Sequence, residues 1–350
     1  MDNQETRGVV GPPPVDKERP RVIGFSLTGG RKNNEDAFFT SGGQFYLPLP
    51  DAVGSNLTAD PPSSDQGGPK KDLRSRVDRA SGYLNELVER GVIDGLLIVA
   101  DGMGGHSSGE VASSVAILGI LEGVCGALRN GSNTNIIQTL QQAVLRADRL
   151  IAGLNRINKG SMGTTVTVFL ERGGVGYFAS VGDSRLYVLD SDGVMKLVTA
   201  DDTLVWRRLE NGYRDFSGFL NDPQKNLLGY SLGGKDRLEP THIQLGLIGL
   251  NNVKKVYLAT DGAWENIVVD EDLKQFLEEA NTCLGRMTMT SNLSNLNNQT
   301  LKRMVATSRR EFIQNVFGEI FRRMVDKRGD GPYEWKKGSS DNVTLVTFAR

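Results

Sequence analysis

The stretch LLIVADGMGGHSSGEVA, Leu96 to Ala112, decides the fold. An unbroken apolar run, Leu96 to Ala100, ends in Asp101, and Gly102, Gly104 and Gly105 strip the following turn of side chains. A short apolar run closed by glycines reads as a buried strand. A carboxylate at its end costs desolvation free energy unless a cation or a donor receives it. Beyond the turn, Glu110 to Leu128 is apolar on most sides and reads as a largely buried helix.

Working outward, residues 1–20 read as a flexible, proline-rich tail without the basic and apolar regions of a secretory signal. A strand pair is expected between Arg21 and Phe45, interrupted by the turn TGGRKNNED. An insert is expected at 41–90, and its 48–72 part is rich in Pro, Gly, Ser and Asp. It closes on an amphipathic helix over 73–90, with Leu73, Val77, Ala80, Leu84 and Leu87 or Val88 on one face. A second helix fits 134–155. Strands follow at 163–172, 175–182 and 184–191, and Asp192-Gly193 turns a hairpin into 194–198. Residues 201–235 read as polar and irregular. Strands at 241–247 and 253–260, helices at 270–280 and 300–327, and a strand at 342–349 complete the pattern. Hairpin-linked strands and paired helices give an α+β layered sandwich, a single domain over 21–350.

Composition narrows the chemistry. The 350 residues carry a formal net charge of -1, which leaves no electrostatic footprint for nucleic acid. Two cysteines, Cys125 and Cys283, and two histidines, His106 and His242, are too few for a thiolate or imidazole zinc site. A metal here is held by oxygen, which favours magnesium, manganese or calcium. The longest helix-like apolar stretch, Val115 to Leu128, is too short to span a bilayer. The chain is expected to be soluble, cytoplasmic and monomeric.

Asp-Gly is a common turn, and the pairs at Asp94, Asp192 and Asp330 read as turns. LLIVADG and VYLATDG stand apart as near copies, each an apolar strand that ends in Asp-Gly, at Asp101 and Asp261. Gly102 and Gly262 leave room for close backbone approach to a cation. Glu35-Asp36, Asp183 and Asp341 sit at further strand termini. Neighbouring residues in a regular strand point to opposite faces, so Glu35 and Asp36 are not expected to act in the same way, and one of them works through water.

These motifs resemble the metal-dependent serine/threonine protein phosphatases of type 2C, in their bacterial-type branch. The matching stretches are RKNNEDAF, DGMGGHSSGEVAS, GTTVTV, VGDSRLYVL, LATDGAWE and DNVTLV, in the family's order. The resemblance implies a four-layer α/β/β/α sandwich, with a central β-sandwich of antiparallel sheets and a dinuclear site at one end. Carried over by position, Asp101 bridges two manganese or magnesium ions, and Asp261 and Asp341 complete the first. Glu35 and the Gly102 carbonyl serve the second, and Asp36 holds metal-bound water. Asp183 with Asp261 is placed at a weaker third ion. Arg31 falls at the phosphate-binding arginine, and 201–225 resembles a mobile flap. The implied partners are phosphorylated proteins and the serine/threonine kinase that makes them. The segment between Asp36 and Asp101 and the stretch between Asp261 and Asp341, which contains the polar 281–300, are longer than the family pattern, and the turn before Arg31 lacks the aspartate often found upstream.

The implied chemistry is coherent. Two cations roughly 3.5–4 Å apart lower the pKa of a shared water, which attacks phosphorus in line. A guanidinium such as Arg31 matches phosphoryl oxygens with two parallel hydrogen bonds. His106 suits proton donation to the leaving alkoxide, or else caps the helix that follows it. His242 reads as structural, in a strand. Ser107, Ser108, Ser161 and Ser184 have no readable histidine–acid pair, which disfavours a hydroxyl nucleophile. A phosphoprotein-binding scaffold without catalysis is the alternative on the same fold.

Overall fold

Side-chain alternation along Gly95–Met103 (β4) sets the layers. Leu96, Ile98 and Ala100 pack in one apolar cluster, and Leu97 and Val99 in another. Period-two alternation in a strand buried on both faces demands a layer on each side. The computed structural model of the chain describes residues 21–41, 44–48, 69–104, 108–129, 134–267, 269–287, 308–329, 334–335 and 339–350. The 1–20 tail, most of the 48–72 stretch and the part of 281–300 beyond Met287 lie outside these residues.

Two sheets stack. The first runs β10 (Gln244–Gly249), β7 (Val175–Val181), β6 (Val166–Arg172), β4, β2 (Asp36–Thr40), β3 (Phe45–Tyr46), with the two-residue β5 (Gly163–Thr164) paired to the end of β4. The second runs β1 (Arg21–Leu27), β12 (Val343–Ala349), β11 (Val253–Ala259), β8 (Arg185–Asp190), β9 (Met195–Leu197). Every pairing between them is antiparallel. Phe38, Leu97, Val99 and Phe169 of the first sheet meet Val256, Leu258, Val346 and Phe348 of the second in the inner core.

Helices cover the outer faces. α1 (Pro69–Glu89), α2 (Gly109–Arg129) and α3 (Ile136–Asn158) pack on the first sheet. Leu73, Val77, Ala80, Leu84 and Leu87 of α1 are all buried, the stripe expected from their spacing. Among the described residues, α2 alone is long and apolar enough to cross a membrane, and it is a core helix buried between α1, α3 and β4. On the second sheet lie α4 (Leu204–Glu210), α5 (Phe216–Leu220), α7 (Glu271–Arg286) and α8 (Arg309–Arg328); the one-turn α6 (Asp261–Trp264) follows β11. The four-layer α/β/β/α sandwich is therefore present.

Three local expectations are corrected. β1 and β2 are not a hydrogen-bonded pair: β1 pairs with β12 and β2 with β4, so the turn between them crosses from one sheet to the other. Residues 201–235 are not uniformly irregular. Thr203 and Asp215 cap α4 and α5, and Trp206, Leu209, Phe216 and Phe219 are buried against Phe312 and Phe317 of α8. His242 ends a 3-10 turn, Pro240–His242, ahead of β10, and stacks on Tyr230 with ring centroids 3.9 Å apart.

Candidate active site

Strand direction gathers the acids at one end of the sandwich. β2 begins there with Asp36, Asp101 lies near the end of β4, two residues before Met103, and these two are register partners. Asp36 lies in phase with Phe38, and Asp101 with Leu97 and Val99, so both belong to the face between the sheets. From the second sheet, Asp261 opens α6 at the end of β11, Asp341 precedes β12, and Asp183 occupies the turn between β7 and β8. In that turn Gly182 has φ 98, a left-handed conformation that favours glycine.

The electrostatics record how close these groups are. Burial pushes Asp101 well above the usual carboxylate range, and the charges of Asp36, Asp261 and Asp183 push it further. Asp36 and Asp261 are each raised to about 7, first by burial and then by Asp341 among their neighbours. Asp183 is raised by burial and by Asp261. Asp341 lies 2.6 Å from the guanidinium of Arg31, whose side chain is 58% exposed, so the cation stands at the mouth of the acidic pocket.

Glu35 borders the group on the Gly102 side. Its carboxylate lies against Gly109 at the start of α2, and burial followed by the charge of Glu110 raises its pKa. Asp36 shares the inner space with Asp101, and Glu35 stands by the Gly102 carbonyl, where a Cβ on Gly109 would be 2.8 Å from both its Oε2 and that carbonyl oxygen, within reach of the charges of Arg31 and Asp341. His106 falls outside the described residues.

Neighbouring polar groups fix each acid. Thr164 Oγ1 and the Thr165 amide donate to the Asp101 carbonyl at 2.8 and 2.9 Å, and Thr165 Oγ1 accepts from the Asp101 amide. Thr260 Oγ1 donates to Asp36 at 2.8 Å and accepts from the Thr344 amide. Asn342 ties down the 28–35 turn at three points: its Oδ1 accepts from the Glu35 amide and its Nδ2 donates to the Thr28 and Asn33 carbonyls. Trp264 Nε1 donates to the Asp183 carbonyl at 3.0 Å. Arg185, beside that turn, is fully buried; it forks onto Asp201 at 2.7 and 2.8 Å and lies 3.4 Å over the Trp264 ring. These partners sit inside or next to the motifs GTT, ATDG, DNV and GDSR, and their hydroxyl, amide and guanidinium groups were the signal available in the sequence.

As they stand, no three Asp, Glu, His or Cys side chains among the described residues meet at one point as metal ligands. Asp36 is engaged by Thr260 and Asp341 by Arg31. The donor set nevertheless fits a hard divalent cation. It is all oxygen, and Asp36 Oδ1 and Asp261 Oδ1 are buried with no hydrogen-bond partner. The backbone beside the acids is packed to its limit. A Cβ on Gly102 would stand 2.1 Å from the Gly109 carbonyl oxygen, and one on Gly262 would stand 1.8 Å from that of Asn342.

Residues 88–297, more than half the chain, match the family described as Protein phosphatase 2C. The serine/threonine phosphatase stp of Listeria innocua is 29% identical over 189 residues, covering 53% of this chain and 73% of that protein. Two solved structures share the fold. The serine/threonine phosphatase PstP/Ppp of Mycobacterium tuberculosis has a TM-score of 0.52 at 21% identity, over 94% of this chain and 98% of that one. The serine/threonine phosphatase of S. agalactiae has a TM-score of 0.53 at 19% identity, over 94% and 99%.

Proposed function

The chain belongs to the protein phosphatase 2C family, and from that premise we propose that it hydrolyses phosphoserine and phosphothreonine on proteins at the acidic end of its sandwich. The observation that carries the reading is that buried Asp36, Asp101, Asp183 and Asp261 gather at one end of the sandwich, with Asp36 and Asp101 as register partners and Arg31 on Asp341 beside them.

Asp101, Asp261 and Asp341 would hold divalent manganese or magnesium, Glu35 and the Gly102 carbonyl would serve a second ion with Asp101, Asp36 would hold its water, and Asp183 with Asp261 would take a further ion. When bound, such cations neutralise phosphoryl charge and lower the pKa of water. The chain's own residues do the rest. Asp101, held at both its amide and its carbonyl by Thr164 and Thr165, keeps a fixed position between the sheets. Arg31 is exposed and, among the described residues, its Nη2 pairs with Asp341, so it can exchange Asp341 for a phosphoryl group, which its fork matches. Thr260 orients Asp36. The substrates are phosphorylated proteins, the products of a serine/threonine kinase. The scaffold alternative gains no support, because every carboxylate the reading needs is retained.

The test is hydrolysis of para-nitrophenyl phosphate and of a phosphothreonine peptide by metal-stripped protein given manganese or magnesium. Metal-dependent turnover that is lost in Asp261→Asn is expected. Equal absence of turnover in both proteins, or turnover that persists in EDTA, overturns the proposal.

A further inference from the structure

A groove of about 940 Å³ opens beside the acidic pocket, between the C-terminal half of α3 and the 231–240 segment. Its inner edge is the β4–β5 pair, where Met103 and Gly163 are register partners one position beyond Gly102 and Thr164. The groove is held in shape. Asn155 donates to the carbonyls of Met162 and Gly233 at 2.7 and 2.9 Å and accepts from the Met162 amide. The Gly233 amide donates to Asp148, and Thr164 and Leu232 exchange backbone hydrogen bonds.

The described residues of the lining carry four cations, Arg149, Arg156, Lys235 and Arg237, and three acids, Asp148, Asp236 and Glu239, and the cations outnumber the acids among the groups left without an ion pair. Arg149 and Arg156 project from α3 two turns apart, and Lys235 stands on the facing segment. Among the described residues none of the three forms an ion pair, whereas Arg237 and Glu239 on the same lining lie 3.8 Å from each other. The carboxylate of Asp148 is turned to the Gly233 amide, which leaves Asp236 as the acid on the open rim. Unpaired cations along a preformed groove favour an anionic occupant and add selectivity more than raw affinity.

The geometry points to this groove as the docking site for an acidic stretch of the phosphoprotein substrate, flanking the phosphorylated residue. This rests on the phosphatase reading above. Continuity with β4 selects the occupant: a chain whose phosphoryl group reaches Arg31 and the acidic pocket passes the Met103–Gly163 edge on its way out. Sites in which glutamate or aspartate flanks the phosphoresidue are therefore the favoured class.

The experiment compares two phosphothreonine peptides of equal length, one flanked by glutamates and one by glutamines, alongside para-nitrophenyl phosphate, which is too small to reach the groove. The wild-type protein is expected to give a kcat/KM about tenfold higher for the glutamate peptide, a preference that fades with added salt. Arg149→Glu combined with Arg156→Glu, both exposed positions, is expected to abolish that ratio and leave para-nitrophenyl phosphate kinetics unchanged. An unchanged ratio overturns the inference. So does a rise in turnover of all three substrates, which would assign the groove to an acidic segment of this chain such as the one containing Asp51, Asp60 and Asp65. Absence of para-nitrophenyl phosphate hydrolysis in the wild type would sink the phosphatase reading instead. Fluorescence anisotropy of the labelled glutamate peptide then still decides: binding lost in the double variant supports docking, and equal binding by both proteins refutes it.

Discussion

Asp36 and Asp101 are register partners across β2 and β4, and both belong to the face enclosed between the two sheets. Facing carboxylates on adjacent strands destabilise a ladder, and burial enlarges the penalty. The sandwich therefore carries a local cost at the place where its proposed chemistry lies.

Asp101→Asn is expected to separate stability from activity. The metal-free variant should melt at a higher temperature than the metal-free wild type, because one of the mutually repelling acids is gone. Manganese-dependent turnover should fall by at least about 100-fold. Calorimetry and para-nitrophenyl phosphate kinetics on one preparation check both halves. A variant that melts lower without metal contradicts the strained-pocket account.

The pH dependence of the metal-free protein has a definite sign. Asp36 and Asp261 titrate near 7 in the fold, against about 4 in an unfolded chain. The folded state then binds protons more tightly, so this stabilisation is fully present below about pH 4 and is lost as pH rises through 7. In EDTA, melting temperature should fall between about pH 5 and pH 8. Manganese affinity should climb over the same interval, since cations and protons compete for the same oxygens. Titration calorimetry with manganese at several pH values reads the second half.

Thr260→Val removes the hydroxyl that donates to Asp36 and accepts from the Thr344 amide. The loss should weaken manganese binding about 10- to 100-fold, with a smaller effect on turnover at saturating metal. Thr260→Ser keeps the hydroxyl and should restore affinity.

The buried Arg185–Asp201 pair supports the Asp183 turn through Trp264. Asp201→Ala leaves a guanidinium buried without its partner and should cost about 3–5 kcal/mol in urea unfolding. Arg185→Met combined with Asp201→Leu removes both charges and should cost much less than the sum of the two single changes.

Local pattern made most elements legible. The α1 stripe, the apolar α2, the β8–β9 hairpin at Gly193 and the apolar strands β4 and β11 that lead to Asp101 and Asp261 all follow from periodicity and turn chemistry. Sheet membership was not legible, because pairing joins residues far apart in the chain. β1 finds β12 rather than its neighbour β2, and no local signal marks that choice. The helices α4 and α5 were hidden by their shortness; their caps Thr203 and Asp215 and their aromatics become decisive only once Phe312 and Phe317 are beside them. In the site, strand termini pointed to the acids, whereas the supporting roles of Thr260, Asn342 and Arg185 depend on tertiary distances.

β12, last of the strands in sequence, lies inside its sheet between β1 and β11. A ribosome-bound chain that has not yet delivered β12 keeps two unfilled strand edges, and Arg31 waits for a counterion 310 residues downstream. Such non-local closure is slow and exposed to aggregation. Acquisition of the pocket should therefore coincide with the final kinetic phase of refolding, which makes recovery of metal binding a late-event clock for assembly of the whole sandwich.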